Sequence, residues 1–303
     1  MALLLSVLEQ GMIYGILALG VYITYKILDF PDMTVDGSFP FGAAITVRLI
    51  SEFNVPAIAT LPIAFLGGAL VGMCTGLIHV KLKVRDLLAG IIMMTGLYTI
   101  NLWVAGTGYV AIFNKENIFD NAIVNAIIPD FLKDFKTVII IFLITMLAKY
   151  LLDWYMSTKS GFLLLAVGDN DTIVTSLGVD KGLVKIVGLS IANGLVALSG
   201  CIYAQQQRSF EISIGTGAVT IGLASVIIGT SLFKKVTLFR VTSSVVVGSI
   251  LYKACVALAM FAGIDPNAIK LITAVLFLII LVVSMDRKSA DKKSADRKKV
   301  KSC

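Results

Sequence analysis

One histidine, four scattered cysteines and little charge set the first limits on this 303-residue chain. With His79 alone, a multi-histidine metal site is excluded. Cys74, Cys201, Cys255 and Cys303 form no CxxC and no close-spaced pair. Three of them lie in or beside apolar runs, where a cysteine acts as a small buried hydrophobe. Charged residues make up 15% of the chain, too few to clothe a soluble domain of this length. No GxxxxGK[ST] occurs, so the chain carries no P-loop of its own. The opening, MALLLSVLEQGMIYGILALG, lacks a basic leader and a small-residue cleavage site, and reads as a retained first span.

What is present is apolar: 57% of residues are hydrophobic and mean hydropathy is +0.92. The apolar stretches are long and continuous, which favours an all-α polytopic membrane protein over a barrel of short alternating strands. Nine candidate crossings follow, near 4–28, 38–51, 56–80, 87–105, 136–156, 184–205, 217–233, 238–261 and 268–285. Two are irregular: 38–51 is short and carries Arg48, and 217–233 opens on Gly215, Gly217 and Gly222. Basic residues gather at Lys81, Lys83 and Arg85, at Lys159, Lys181 and Lys185, at Lys234, Lys235 and Arg240, and after Ser284. Alternating nine spans puts all four clusters on one side, which must be the cytoplasm; the N-terminus is then outside and the C-terminus inside.

Residues 1–285 thus read as one transmembrane domain, followed by a basic, low-complexity tail at 286–303. Such a tail has almost nothing to bury and reads as a disordered segment beside an anionic leaflet. Charge alone does not support a nucleic-acid partner, and none is expected. The long loop 106–135 is expected to hold an interfacial helix near 119–133.

Part of the chain recurs. A segment beginning GILALG at Gly15 and one beginning GLVALSG at Gly194 both run through a polar stretch into a Gly-rich start of the next apolar run. Gly20 to Gly37 and Gly200 to Gly217 are both 17 residues apart. In the topology above the two copies enter from opposite sides, as an inverted-topology repeat does. Breaks such as DGSFPFG and IGTGAVTIG expose backbone that hydrocarbon cannot satisfy, so they belong in protein or beside a wet path.

Between spans five and six lies a polar stretch. STKSG turns the chain, Asp169, Asn170 and Asp171 offer N-terminal caps, and Ile173, Val174 and Leu177 share an apolar face. Gly178 suits a left-handed end. About two turns of helix cannot stand alone. They read either as a surface connection or as a helix that seats on a separate motor subunit. For a substrate pathway, the candidates are polar residues in apolar spans, each of which costs free energy unless paired or wet. These are Glu9, then Thr95, Tyr98 and Asn101 at i, i+3, i+6, then Asn193, with Arg208, Gly215 and Gly217 at the second break. Each polar group equally serves as an interhelical hydrogen bond. Arg48 and Glu52 are four apart and read as a local ion pair. Lys253 reads more readily as a snorkelling or paired lysine than as a ligand.

Residues GFLLLAVGDNDTIVTSLGV resemble the coupling segment of permease subunits in the branched-chain amino acid and ribose group of ABC importers. EQGMIYGILALGVYITYKILDFPDMTVDGSFPFGAA, LLAGIIMMTGLYTINLWVAG and GLSIANGLVALSGCIYAQ…GTGAVTIGLASVIIG look like the permeases paired with tryptophan/tyrosine-type substrate-binding proteins. The resemblance covers about residues 5–285 and departs at Arg208, where the family pattern has a small residue, and at Thr230, where it has an acid. It implies a bacterial plasma-membrane subunit, not an enzyme, that moves an amino acid or similar small solute. It also implies a second copy or paired permease, an external substrate-binding lipoprotein, and cytoplasmic ATPases that hold the ATP and Mg, with no cofactor in this chain. Coupling would run through 161–182, with Gly161, Asp169, Asn170, Ile173, Val174, Leu177 and Gly178 at the contact. The rival is an ion-gradient-driven secondary transporter, which usually needs carboxylates near the midplane; here Asp29, Asp32 and Asp36 fall at the inner edge of the sequence-derived spans. A non-transporting scaffold would explain the tail but not the glycine-rich breaks.

Overall fold

The computed structural model describes residues 2–121, 135–169, 174–175, 178–233 and 240–261, with 271, 274–275, 277–279 and 282 beyond them. Apolar runs too long for a strand fold as helices. In order these are α1 (Ala2–Val21), α2 (Val35–Ser51), α3 (Thr60–Lys81), α4 (Asp86–Ala105), α5 (Lys136–Met156), α6 (Lys159–Asp169), α7 (Lys181–Gln207), α8 (Ala218–Leu232) and α9 (Val241–Phe261). Among the described residues, seven helical segments are long and apolar enough to cross a membrane. The chain is therefore a multi-pass membrane protein. Of the nine expected crossings, 38–51 corresponds to α2, only 17 residues long and mostly buried, and 268–285 lies largely outside the described residues. The expected helix near 119–133 also lies outside them after Asn121.

The centre of the bundle is α7. Gly68, Gly72 and Gly76 of α3 form a stripe one turn apart, and a Cβ at any of them would meet the α7 backbone at Asn193, Leu189 or Ile186. Small residues allow this close antiparallel approach without a gap. Across α7, α2 runs parallel to it: Ser38 bonds Asn193, and Gly42 presses on the Ala197 carbonyl. Helix α1 packs on α9 through Gly11 and Gly15, against Ile250 and Ser249.

Both breaks have physical causes. Helix α1 loosens into a π-helical stretch, Tyr22–Ile27, closed by Leu28 N–H bonding the Ile23 carbonyl. Residues 28–34 then fold back into the bundle, and Asp32 is buried there. Pro40 inside α2 has no N–H for the Asp36 carbonyl, and Gly215 lies against both. The sequence reading put Asp32 and Asp36 at the inner edge; the fold-back carries them to the level of Asn193, midway along α7, because α2 starts inside the bundle.

One end of the bundle carries a two-stranded ribbon, β1 (Tyr109–Ala111) paired antiparallel with β2 (Ser209–Glu211). This ribbon end ties the long loop to the end of α7. The opposite, basic end carries Lys81, Lys83, Arg85, Lys159, Lys181 and Lys185. Here one expectation needs correcting. The chain does turn at Ser157–Thr158, but helix α6 begins directly after it at Lys159, with Thr158 Oγ1 accepting from Gly161 N–H, so Asp169 closes a helix where it was expected to cap the start of one. Gly161, Leu164 and Val167 recur every third residue and are buried, a pattern that makes the stretch helical as far as Asp169.

Candidate functional site: a polar vestibule, an aromatic floor and two broken helices

At the ribbon end, Glu9 of α1, Gln206 and Arg208 at the end of α7, Asn117 and Asp120 of the loop, and Lys136 of α5 line a cavity of about 180 Å³. Gln206 Nε2 donates to Glu9 Oε2 at 3.0 Å. Arg208, left-handed at φ 54°, donates to the Phe113 carbonyl and to Asp120 Oδ2, and Lys136 Nζ lies 3.5 Å from the same carboxylate. Asn117 Oδ1 accepts the N–H groups of Phe119 and Asp120, and buried Gln205 takes the Ile118 N–H while donating to Thr60. The loop is thus a strap across the mouth. A half-exposed pair such as Arg208–Asp120 contributes little stability, so Arg208→Ala is expected to cost less than about 1 kcal/mol. Labelling of a Phe119→Cys reporter in an otherwise cysteine-free chain should nevertheless rise several-fold; an unchanged rate would show that Arg208 does not hold the strap.

One residue along from Glu9, and one turn inward from Gln206, the surface changes character. Tyr14 stacks on Phe39 with ring centres 5.6 Å apart and meets Tyr203 edge-on at 5.9 Å. Lys253 Nζ sits 3.8 Å from the centre of the Tyr14 ring and 3.4 Å from Gln10 Oε1. A cation over an aromatic face is stabilised by the ring quadrupole, more so out of water. Four helices therefore supply a half-buried ammonium on an aromatic floor.

The two broken helices meet deeper in. Gly217, at φ 86°, begins α8, and the Asp36 carboxylate accepts the N–H groups of Gly217 and Val219 at 3.1 and 2.8 Å. A carboxylate at a helix N-terminus satisfies orphan donors and complements the dipole. Beside it, buried Asn101 donates to the Gly37 carbonyl, and its Oδ1 has no partner among the described residues. Asn193 is a hub: its Oδ1 accepts from Ser38, and its Nδ2 donates to Asp32 Oδ2 at 2.8 Å and to the Leu189 carbonyl. Asp32 is buried beside this hub and also accepts the Thr34 N–H at 2.8 Å.

At the basic end, Gly161 is buried against the Tyr155 carbonyl, and Asp169 is exposed at the close of α6. Val174 is fully buried. Gly178, at φ 75°, donates to the Thr175 carbonyl and Val179 to that of Val174, a left-handed helix stop of the expected kind. Asn170, Ile173 and Leu177 lie outside the described residues.

The sequence-derived candidates thus separate into places. Glu9 and Arg208 share the vestibule; Asn101, Asn193, Gly215 and Gly217 gather around the broken helices. Thr95 and Tyr98 are exposed on the outside of α4, away from both. Sequence reasoning did not single out Tyr14, Tyr203, Gln205, Gln206 or Asp120. The run QQQ at 205–207 was the available signal for two of them.

Three comparisons bear on this arrangement. A family described as "Branched-chain amino acid transport system / permease component" matches residues 3–283. A "Tyrosine transport system permease protein" of Clostridioides difficile (strain R20291) is 40% identical over 275 residues, 91% of this chain and 89% of that protein. "Ribose import permease protein RbsC" of Escherichia coli (strain K12) is 25% identical over 234 residues, 75% of this chain and 68% of that one. No solved structure matches.

Proposed function

This chain belongs to the family of branched-chain amino acid transport system permease components, and from that premise we propose that its cargo is an aromatic amino acid. As a member it is the membrane permease of an ABC importer. The aromatic assignment is carried by the ammonium of Lys253 over Tyr14, with Phe39 and Tyr203 beside it, just beneath the Glu9–Gln206 vestibule. The tyrosine permease relative supports it. A zwitterionic substrate finds a cation for its carboxylate, acids at Glu9 and Asp120 for its ammonium, and the half-buried Tyr203 ring, backed by Tyr14 and Phe39, for its side chain.

The rest of the reading follows the same lines. The basic end is cytoplasmic and the ribbon end external, so the N-terminus is outside and the C-terminus, after a ninth crossing, inside. An external binding lipoprotein delivers substrate to the vestibule. Separate ATPases, which hold ATP and Mg, push on 161–182, and two permease copies form the working unit. The inverted repeat gains support from packing. Gly15 meets α9, the third long helix of the second half, as Gly194 meets Phe65 of α3, the third of the first. The broken helices α2 and α8 meet through Asp36.

Uptake of labelled tyrosine into vesicles holding the assembled transporter tests the site. Lys253→Met is expected to lower uptake at least about ten-fold at unchanged surface level, and Lys253→Arg to retain most of it. Parental uptake by Lys253→Met, or equal uptake of leucine and tyrosine by the parent, would sink the aromatic assignment.

A further inference from the structure

A second cavity, at the basic end, has no part in the path described above. It measures about 540 Å³ and lies between the ends of α3 and α4 and the start of α7, with Lys83, Arg85, Lys181 and Lys185 in its walls. Its two acids are engaged with backbone, Asp86 accepting the Leu87 N–H and Asp180 capping α7 at the Gly182 N–H, 2.8 Å away, so four cations share the walls with two carboxylates. Among the described residues, no carboxylate comes within ion-pair distance of Lys83, Arg85 or Lys185. Lys83 itself stands at φ 55°, a left-handed conformation that glycine would adopt without strain. His79 pins the same turn through its Nδ1 contact with the Val84 carbonyl at 2.9 Å. The cations are thus held by two separate segments around one hollow.

The rim of the hollow is apolar. Leu82 and Leu183, next to Lys83 and Gly182, are 70% and 61% exposed, and Leu87 and Leu88 in the first turn of α4 are exposed as well. We propose that this cavity binds the phosphodiester headgroup of an anionic phospholipid, with the acyl chains lying on the leucine rim. A free phosphate has the same charge chemistry but leaves the leucines in water. A lipid satisfies both surfaces at once, and basic hollows between helix ends at a cytoplasmic interface suit such headgroups. The tail carries basic residues in its sequence too, and so serves as the control for charge alone.

The test is native mass spectrometry of the purified full chain titrated with phosphatidylglycerol or phosphatidylcholine. Each neutralised cation is expected to weaken binding roughly five-fold, so Lys83→Gln/Arg85→Gln/Lys185→Gln should weaken phosphatidylglycerol binding about a hundred-fold. Lys292→Gln/Lys293→Gln/Lys298→Gln, the same charge change in the tail, should leave it within a few-fold. Lys83→Arg/Lys185→Arg should bind like the parent. Should the triple variant not purify as a single species, Lys83→Gln and Lys185→Gln alone still each predict the five-fold loss. Equal losses in pocket and tail variants, or equal binding of phosphatidylcholine, would overturn the proposal. So would displacement of the lipid by millimolar inorganic phosphate, which would reassign the cavity to a free anion. Undiminished lipid binding by the triple variant, with loss of a co-purifying ATPase, would make it a subunit interface.

Discussion

Asn193→Leu is expected to destabilise the protein by about 3 kcal/mol, among the largest costs of any single buried substitution in it. The leucine matches the apolar surroundings of α7 and creates no cavity. What it removes is the donor to Asp32, a buried carboxylate whose other described hydrogen bonds come from Thr34, and the acceptor for Ser38. A buried charge stripped of a donor costs far more than the net worth of the bond itself. Thermal unfolding of the parent, of Asn193→Leu and of Asn193→Leu/Asp32→Asn measures this. A pair variant no more stable than Asn193→Leu alone would assign the cost to packing of leucine instead of to the carboxylate. The pair variant Asn193→Leu/Asp32→Asn should recover much of the loss, since it removes the charge that was left unmet.

How far the sequence foretold this network depends on the kind of signal involved. Long apolar runs specify helices almost irrespective of context, so α1 with its π-helical continuation, α3, α4, α5, α7, α8 and α9 coincide with expected spans to within a few residues. Gly178 was legible for a local reason, since a glycine after an apolar turn has few other uses than a left-handed stop. Asn193 stood out because an amide in an apolar run must find partners. Which partners it finds was not legible. Asp32 reaches it only because 28–34 folds back into the bundle, a consequence of the π-helical end of α1 and of Pro40, neither of which has a periodic signature. Thr95, Tyr98 and Asn101 illustrate the opposite problem. Steps of three residues fall short of a full turn by about 60° each. Asn101 thus lies about 120° around α4 from Thr95, which is enough to bury one and expose the other. The aromatic floor was invisible for a simpler reason: Tyr14, Phe39, Tyr203 and Lys253 come from four helices and meet only after packing.

Gly168→Ala is expected to reduce substrate uptake at least about ten-fold while leaving ATPase attachment intact. Gly168 stands on the last turn of α6, and a Cβ there would collide with the carbonyl oxygen of Ile27, the residue that closes the π-helical end of α1. The neighbour is backbone, not a side chain able to rotate away, so even one methyl must push α6 off α1. The contact joins the two ends of the reading given above. On the coupling proposed above, a displacement of α6 would pass through Ile27 into α1, which carries Glu9, Gln10 and Tyr14 at its other end. A motor acting on 161–182 would then have a backbone-to-backbone connection to the vestibule. In vesicles containing the assembled transporter, the ratio of tyrosine taken up to ATP hydrolysed should fall for Gly168→Ala. It should change little for Phe162→Ala, whose side chain on the same helix is exposed. If Gly168→Ala detaches the ATPase altogether, the contact is part of the docking surface and not a link beyond it. A parental uptake ratio would mean that α6 and α1 move independently, and force transmission would have to run through α7 alone.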